Sequence, residues 1–281
     1  TCVALADLDG NGLPDIIAGN ARMPNCVYLI RGCAHPFIGV QAAVLEDTSL
    51  KTTCLASGDM NGDTLSDNIA GKMNGKIYLY LNQGQGVFSK GTPLITEEQA
   101  TTSIAAGDIN KDGFLDVIVG NMKQRNRGYI NNGDGTLAGF DISSDICATT
   151  SVKIGDINGD GFPDVVVGNM GRENQLFLND RSGAFLAGMD ITDDIFDTFC
   201  VALGDVNGDG RLDAVTGNYG SKNRLYLNTG KPFPFFGVTG QSVSDDTGNT
   251  LSLELTDMNG DGRLDVVAGN YDGTNRLYLN K

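Results

Sequence analysis

A chain of 281 residues, 40% hydrophobic and 20% charged, is long enough to bury a substantial core as one large domain or two small ones. Its net charge of −15 argues against nucleic acid or an anionic membrane as partner. No apolar run approaches the roughly 20 residues of a membrane helix, so no membrane insertion is expected. The chain opens on "TCVALADLDG", already a strand pattern, so any signal peptide has been removed or lies outside the sequence. That strand runs into a nonapeptide, residues 7–15, "DLDGNGLPD". A short β-branched run follows ("DIIAGN"), then a polar turn ("GNARMPN"), a third strand ("NCVYLI") and a looser fourth ("HPFIGVQAAVL").

The same order then returns. The nonapeptides begin at Asp7, Asp59, Asp108, Asp156, Asp205 and Asp257, spaced by 52, 49, 48, 49 and 52 residues. Four residues past each ninth place stands a glycine: Gly19, Gly71, Gly120, Gly168, Gly217 and Gly269. Eleven residues further on stands asparagine in five repeats (Asn82, Asn131, Asn179, Asn228, Asn280) and Ile30 in the first. All length variation falls in the segment after this position. The strand ahead of each nonapeptide alternates. Val3, Leu55, Ile104, Val152, Val201 and Leu253 share one face, and the small Cys2, Cys54, Ser103, Ser151, Cys200 and Ser252 share the other. Further fourth strands are expected in "GVFSKGTPLI", "GAFLAGMDI" and "PFFGVTGQSV". Four strands per repeat, with no helical period, is the size of one propeller blade, and the small face suits innermost strands crowded about an axis. The expectation is an all-β, six-bladed propeller forming one domain over residues 1–281. Its repeats are about 1–50, 51–99, 100–147, 148–196, 197–248 and 249–281.

The unit "ALGDVNGDGRLDAVTGNYGSKNRLYLN" resembles the FG-GAP/VCBS family of calcium-binding propeller repeats, seen also in the head of integrin α chains and in some fungal lectins. The resemblance covers essentially the whole chain and implies both fold and metal. That family commonly forms seven blades, and six copies here depart from it.

Within each nonapeptide, oxygen side chains at places one, three, five and nine can converge on one ion. The carbonyl at place seven adds a ligand and glycine at place six allows the sharp turn. The candidate ligands are Asp7, Asp9, Asn11, Leu13 and Asp15 in loop one; Asp59, Asn61, Asp63, Leu65 and Asp67 in loop two; and Asp108, Asn110, Asp112, Phe114 and Asp116 in loop three. They continue as Asp156, Asn158, Asp160, Phe162 and Asp164 in loop four; Asp205, Asn207, Asp209, Arg211 and Asp213 in loop five; and Asp257, Asn259, Asp261, Arg263 and Asp265 in loop six. All-oxygen ligation suits Ca²⁺ better than Mg²⁺. Up to six Ca²⁺ are expected, and loop two is the weakest site, because Thr64 replaces the glycine. An EF-hand would put a carboxylate at place twelve between helices, but here Ala18, Ala70, Val119, Val167, Thr216 and Ala268 stand there in strands. Each loop carries three aspartates, so the chain's acidity is mainly that of its loops. Near-identical loops without switching helices suit millimolar Ca²⁺, hence an extracellular or cell-surface setting.

The six cysteines (2, 26, 33, 54, 147 and 200) form no dense framework and no CxxC pair, so a zinc site is not expected. Seven residues of strand between Cys26 and Cys33 hold their sulfurs ~20 Å apart, beyond disulfide reach unless the chain folds back sharply. No N-x-S/T sequon occurs. His35 stands alone in "CAHPFIG", and no nucleophile elbow, P-loop or dinucleotide fingerprint appears, so no enzyme activity is expected. Lys153 and Glu254 enter the innermost strands and form a candidate pair across a central channel.

The face opposite the loops gathers the turns "GNARMPN", "GNMKQRN", "GNMGREN", "GNYGSKN" and "GNYDGTN", the rings of Tyr219 and Tyr271, and acidic links: Asp47, Glu97, Glu98, Asp145, Asp193, Asp194, Asp245 and Asp246. Two roles fit: an adhesion or assembly module that contacts other protein chains, copies of itself included, or a lectin that binds glycans on this face. The chain starts at a first strand and stops at a third, so the last blade is expected to lack its outer strand. Residues 275–280 then present an edge on which a strand docks, either from a neighbouring molecule or from sequence outside these residues, and repetition builds a fibre.

Overall fold

A computed structural model describes residues 1–32, 40–45, 51–133 and 136–281. Cys33, His35, Asp47 and the first five residues of the first outer-strand segment, 35–39, lie outside the described residues. These residues form strands joined by turns, with no helix among them, and so none that is long and apolar enough to cross a membrane. They divide into two compact units, Thr1–Asp141 and Ile142–Lys281.

The first unit holds three antiparallel four-stranded sheets. They are β1 (Cys2–Ala6), β2 (Asp15–Gly19), β3 (Cys26–Tyr28) and β4 (Ala42–Val44); β5 (Thr52–Gly58), β6 (Asp67–Gly75), β7 (Tyr78–Tyr80) and β8 (Thr92–Pro93); and β9 (Gln99–Gly107), β10 (Asp116–Gln124), β11 (Arg127–Asn131) and β12 (Leu137–Asp141). The second unit repeats the pattern with β13 (Cys147–Gly155), β14 (Asp164–Arg172), β15 (Gln175–Phe177) and β16 (Met189–Asp190), then with β17 (Phe196–Gly204), β18 (Asp213–Ser221), β19 (Arg224–Tyr226) and β20 (Gln241–Ser242). Its last sheet has three strands, β21 (Gly248–Thr256), β22 (Asp265–Asn270) and β23 (Arg276–Tyr278). In it β23 pairs antiparallel with β22.

Each unit is knit by a device that the alternating pattern conceals. The innermost strand carries one extra residue, Thr53 in β5 and Phe199 in β17, where the register slips between Thr52 and Cys54 and between Thr198 and Cys200. Such a bulge bends the strand. Its first residues then leave their own sheet and pair with the second strand of the preceding one: Ala100 with Met73, Asp197 with Met170, Asn249 with Tyr219. The segments "GNMGR" and "GNYGS", read as the start of polar turns, are therefore strand, because the neighbouring blade supplies backbone partners for them. In the first and last sheets the second strand stops at Gly19 and Asn270.

The recurrent glycine is set by crowding. A Cβ on Gly71 would lie 2.6 Å from Cys54 Sγ and 2.7 Å from Thr101 Cγ2 of the next blade, and Gly217 is hemmed in likewise by Cys200 and Thr250. The expected apolar face is buried at Ile104, Val152, Val201 and Leu253. Val3 departs from it at 64% exposed, as does Leu5. Leu203 and Leu255, the counterparts of Leu5, pack onto Gly155 and Gly204 of the preceding blade. Among the described residues the cysteines at 2, 26, 54, 147 and 200 are free, and no ion pair joins Lys153 to Glu254.

Candidate metal centres and a candidate ligand pocket

Each nonapeptide folds around its first aspartate. In loop one, Asp7 Oδ1 accepts the N–H of Gly10 at 2.9 Å and Asp7 Oδ2 that of Gly12 at 2.8 Å. In loop five, Asp205 takes Gly208 and Gly210 in the same way, at 2.7 and 2.8 Å. These donors, the Gly210 amide first, hold Asp205 below the usual carboxylate range; the Gly262 amide does the same first for Asp257. Two left-handed residues make this wrapping possible, at places four and six. Place six is Gly12, Thr64, Gly113, Gly161, Gly210 or Gly262, and place four, which the sequence reading passed over, is Gly10, Gly62, Lys111, Gly159, Gly208 or Gly260, all with positive φ. Thr64 adopts φ +72° and its N–H still reaches Asp59 Oδ2 at 2.7 Å. Loop two keeps the common backbone, with a β-branched residue where glycine is favoured.

The ninth aspartate has a second job. Asp15, Asp67, Asp116, Asp164, Asp213 and Asp265 are fully buried. Asp213 accepts the N–H of Val206 at 3.1 Å with one oxygen and of Asn228 at 2.8 Å with the other, clamping the loop to the end of the third strand. The same clamp recurs at Asp15, Asp67, Asp116, Asp164 and Asp265. Burial pushes the carboxyls of Asp67, Asp116 and Asp213 up, and that of Asp164 to about 6.

In loop one the carboxylates of Asp7, Asp9 and Asp15 offer oxygens all within 4.8 Å of one another, the one acidic cluster this tight among the described residues. In loops two, three, five and six the place-five aspartate turns instead to the amide of the place-three asparagine: Asp63 to Asn61 at 2.9 Å, Asp112 to Asn110 at 2.8 Å, Asp209 to Asn207 at 2.8 Å, Asp261 to Asn259 at 3.1 Å. The place-seven N–H donates to the place-five side chain, as Leu13 does to Asn11, Leu65 to Asp63, Phe114 to Asp112 and Phe162 to Asp160. The donors are oxygens throughout and preorganised by backbone amides, a set that fits a hard cation of Ca²⁺ type.

The repeat asparagine, a spacing mark in the sequence, is a fastening. Asn228 is buried and donates from Nδ2 to Ile157 O, 71 residues back in the preceding blade, at 2.7 Å, and to Leu212 O at 3.0 Å. Asn82, Asn131 and Asn280 reach Leu8 O, Met60 O and Val206 O likewise. The turn asparagines are spent internally as well. Asn218 N–H donates to Asn223 Oδ1 and Asn218 Nδ2 to Lys222 O, and Asn121 and Asn169 do the same with Asn126 and Asn174. Asparagine there serves the backbone.

Another constellation went unseen in the sequence. Asp194 Oδ2 meets Arg224 Nη2 at 3.4 Å and Tyr226 OH at 3.3 Å. One blade on, Asp246 Oδ2 meets Arg276 Nε at 3.6 Å and Tyr278 OH at 3.5 Å. The first set is largely covered, with Arg224 at 19% and Asp194 at 28% exposed; the second stands open at 51% and 52%. Around that open set, on the turn-and-link face of the second unit, lies a cavity of about 340 Å³ also lined by Asn249, Thr250, Asn270 and Tyr271. Tyr271 is 54% exposed, whereas Tyr219 packs on Phe199 with ring centroids 5.5 Å apart. Of the acidic links, Asp245 pairs with Lys222 at 2.8 Å.

The chain belongs to the FG-GAP-like repeat family, whose model matches residues 59–119, 108–167, 156–216 and 205–268. It is an FG-GAP-type propeller-repeat protein, and loop one lies outside the matched segments. Its fold is similar to that of an Agrocybe aegerita lectin described as recognising non-reducing terminal N-acetylglucosamine (TM-score 0.67, 20% identity, 99% of this chain and 80% of that one). It is also similar to the BP39L lectin of Burkholderia pseudomallei (TM-score 0.72, 14% identity, 98% and 79%). BBS1N, solved in complex with ARL6DN, is a third likeness (TM-score 0.63, 14% identity, 100% and 78%). No curated protein matches the chain in sequence.

Proposed function

We propose that the chain is a non-catalytic carbohydrate-recognition module of six propeller blades, each braced by Ca²⁺ in its nonapeptide loop, working outside the cell. The observation that carries the reading is the open cavity of about 340 Å³ beside Asp246, Arg276 and Tyr271. It offers the Asp246 carboxylate and the Asn249 amide for sugar hydroxyls, and the exposed Tyr271 ring on which the apolar face of a pyranose can stack. The lectins among the similar folds support the same reading. Calcium fits as a brace: in loop one the carboxylates of Asp7, Asp9 and Asp15 converge with no ion pair among the described residues, and the loops hang from buried strands rather than from a movable helix. The test is a glycan array with the Ca²⁺-loaded chain, alongside Tyr271→Ala. Wild type retains a defined set of glycans and the variant loses about tenfold in affinity for them, equivalent to one stacking contact. An array on which wild type retains nothing refutes the glycan reading.

A second reading, assembly through protein contacts, is favoured by the edge of β23. Leu277 and Leu279, on and just beyond β23, are 48% and 45% exposed. Exposed regular edges invite strand addition.

A further inference from the structure

The loops of the two units differ in what stands over the place-five side chain. In loop four, Arg181 Nε meets Asp160 Oδ2 at 3.1 Å. In loop five Arg211 Nη2 bonds to Asp209, and in loop six Arg263 Nη2 lies 3.2 Å from Asp261 Oδ2. No ion pair reaches loops one, two or three among the described residues.

The arginines arrive by two routes at one place. Arg211 and Arg263 come from place seven of their own loops. Arg181 comes from the turn after the third strand, two residues past Asn179, where repeats one, two, three and five carry Gly32, Gly84, Gly133 and Gly230 with positive φ. Arg181 takes that left-handed backbone as well, at φ +72°, a conformation that favours glycine. In loop five the arrangement is reversed: glycine stands at 230, and Arg211 Nε lies 3.2 Å from where its Cβ would be. In loops one and three the same space is apolar, filled by Leu13 against Gly32 and by the Phe114 ring against Gly133, and in loop two nothing lies within 4 Å of a Cβ placed on Gly84. A strained arginine in loop four, where place seven is Phe162, delivers the charge that loop five draws from place seven.

We propose that Arg181, Arg211 and Arg263 are built-in counter-charges that substitute for the cation in loops four to six, so that Ca²⁺ removal loosens the first unit's loops and leaves those of the second unit folded. The proposal rests on the reading of the nonapeptides as Ca²⁺ loops. The same guanidinium competes with the ion for the place-five carboxylate, so loops four to six bind Ca²⁺ more weakly than loops one to three. An exposed ion pair of this kind is worth about twofold to fivefold in site affinity.

Hydrogen–deuterium exchange of the whole chain, in millimolar Ca²⁺ and in excess chelator, reads each loop separately. In wild type, chelation speeds exchange in loops one to three by about tenfold or more, and in loops four to six by less than about threefold. The triple variant R181Q/R211Q/R263Q brings loops four to six into line with the rest, while calorimetric titration shows its Ca²⁺ affinity raised at three sites. Conversely, Leu65→Arg shields loop two from chelation. Six loops that respond alike in wild type, or a triple variant whose loops four to six stay protected, overturn the proposal. A chain in which no loop responds to chelation fails at the earlier step, the calcium reading itself, and the proposal falls with it.

Discussion

Replacing Asn228 by alanine tests whether the repeat asparagine holds successive blades together. The side chain donates to Ile157 O at 2.7 Å and Leu212 O at 3.0 Å, and accepts the N–H of Gly230 at 2.9 Å. Its backbone N–H to Asp213 survives the substitution. Three lost hydrogen bonds, each worth about 1 kcal/mol net, one of them leaving the carbonyl of a buried residue without its donor, give a loss of about 3 kcal/mol. Asn280 makes the same two donations, to Val206 O and Leu264 O, from a half-buried position. Water replaces them there, so Asn280→Ala loses about 1 kcal/mol. Urea unfolding in excess Ca²⁺ measures both, by far-UV dichroism and by tyrosine fluorescence, for which the chain has 8 tyrosines and no tryptophan. With a slope of about 2–3 kcal/mol per molar, Asn228→Ala moves the midpoint down by about 1 M. A shift below about 0.3 M, or one equal to that of Asn280→Ala, would falsify the claim that burial makes this bond a fastening.

Two further predictions concern the loops. Thr64→Gly relieves a left-handed β-branched residue and raises stability in Ca²⁺ by about 1 kcal/mol, whereas Gly210→Thr lowers it by about 1–2 kcal/mol; a destabilised Thr64→Gly, in paired thermal melts, contradicts the backbone argument. In chelator, Asp164 adds a pH dependence. Its folded value of about 6 lies above the ordinary 3.8, so the folded chain holds the proton more tightly. That contribution is fully present below pH 3.8 and is lost as pH rises through about 6. Asp164→Asn flattens the stability profile across that window, and an unchanged profile shows that burial does not govern this carboxyl.

What the amino-acid order determines by itself is local. The turn of "DVNGDGRLD" depends on oxygens and glycines within nine residues, so the loops, their register and the small faces of the inner strands were legible without coordinates. Place four could have been read too, since five of its six residues are glycine. The tertiary structure decided whatever depends on a neighbouring blade. Thr53 and Phe199 bulge because the chain ahead of them pairs with another sheet, and "GNMGR" is strand because that sheet supplies its partners. Asn228 is spent on a carbonyl 71 residues away. Asp246 and Arg276, 30 residues apart in sequence and ordinary in composition, meet only when a link and a third strand are laid side by side. Arg181 shows the limit most directly. Nothing near it in sequence marks it as the equivalent of Arg211, because the two come from different turns and share only the space above a loop. A pattern within one turn carries its own geometry, whereas contacts across a repeat are set by packing, which no single segment encodes.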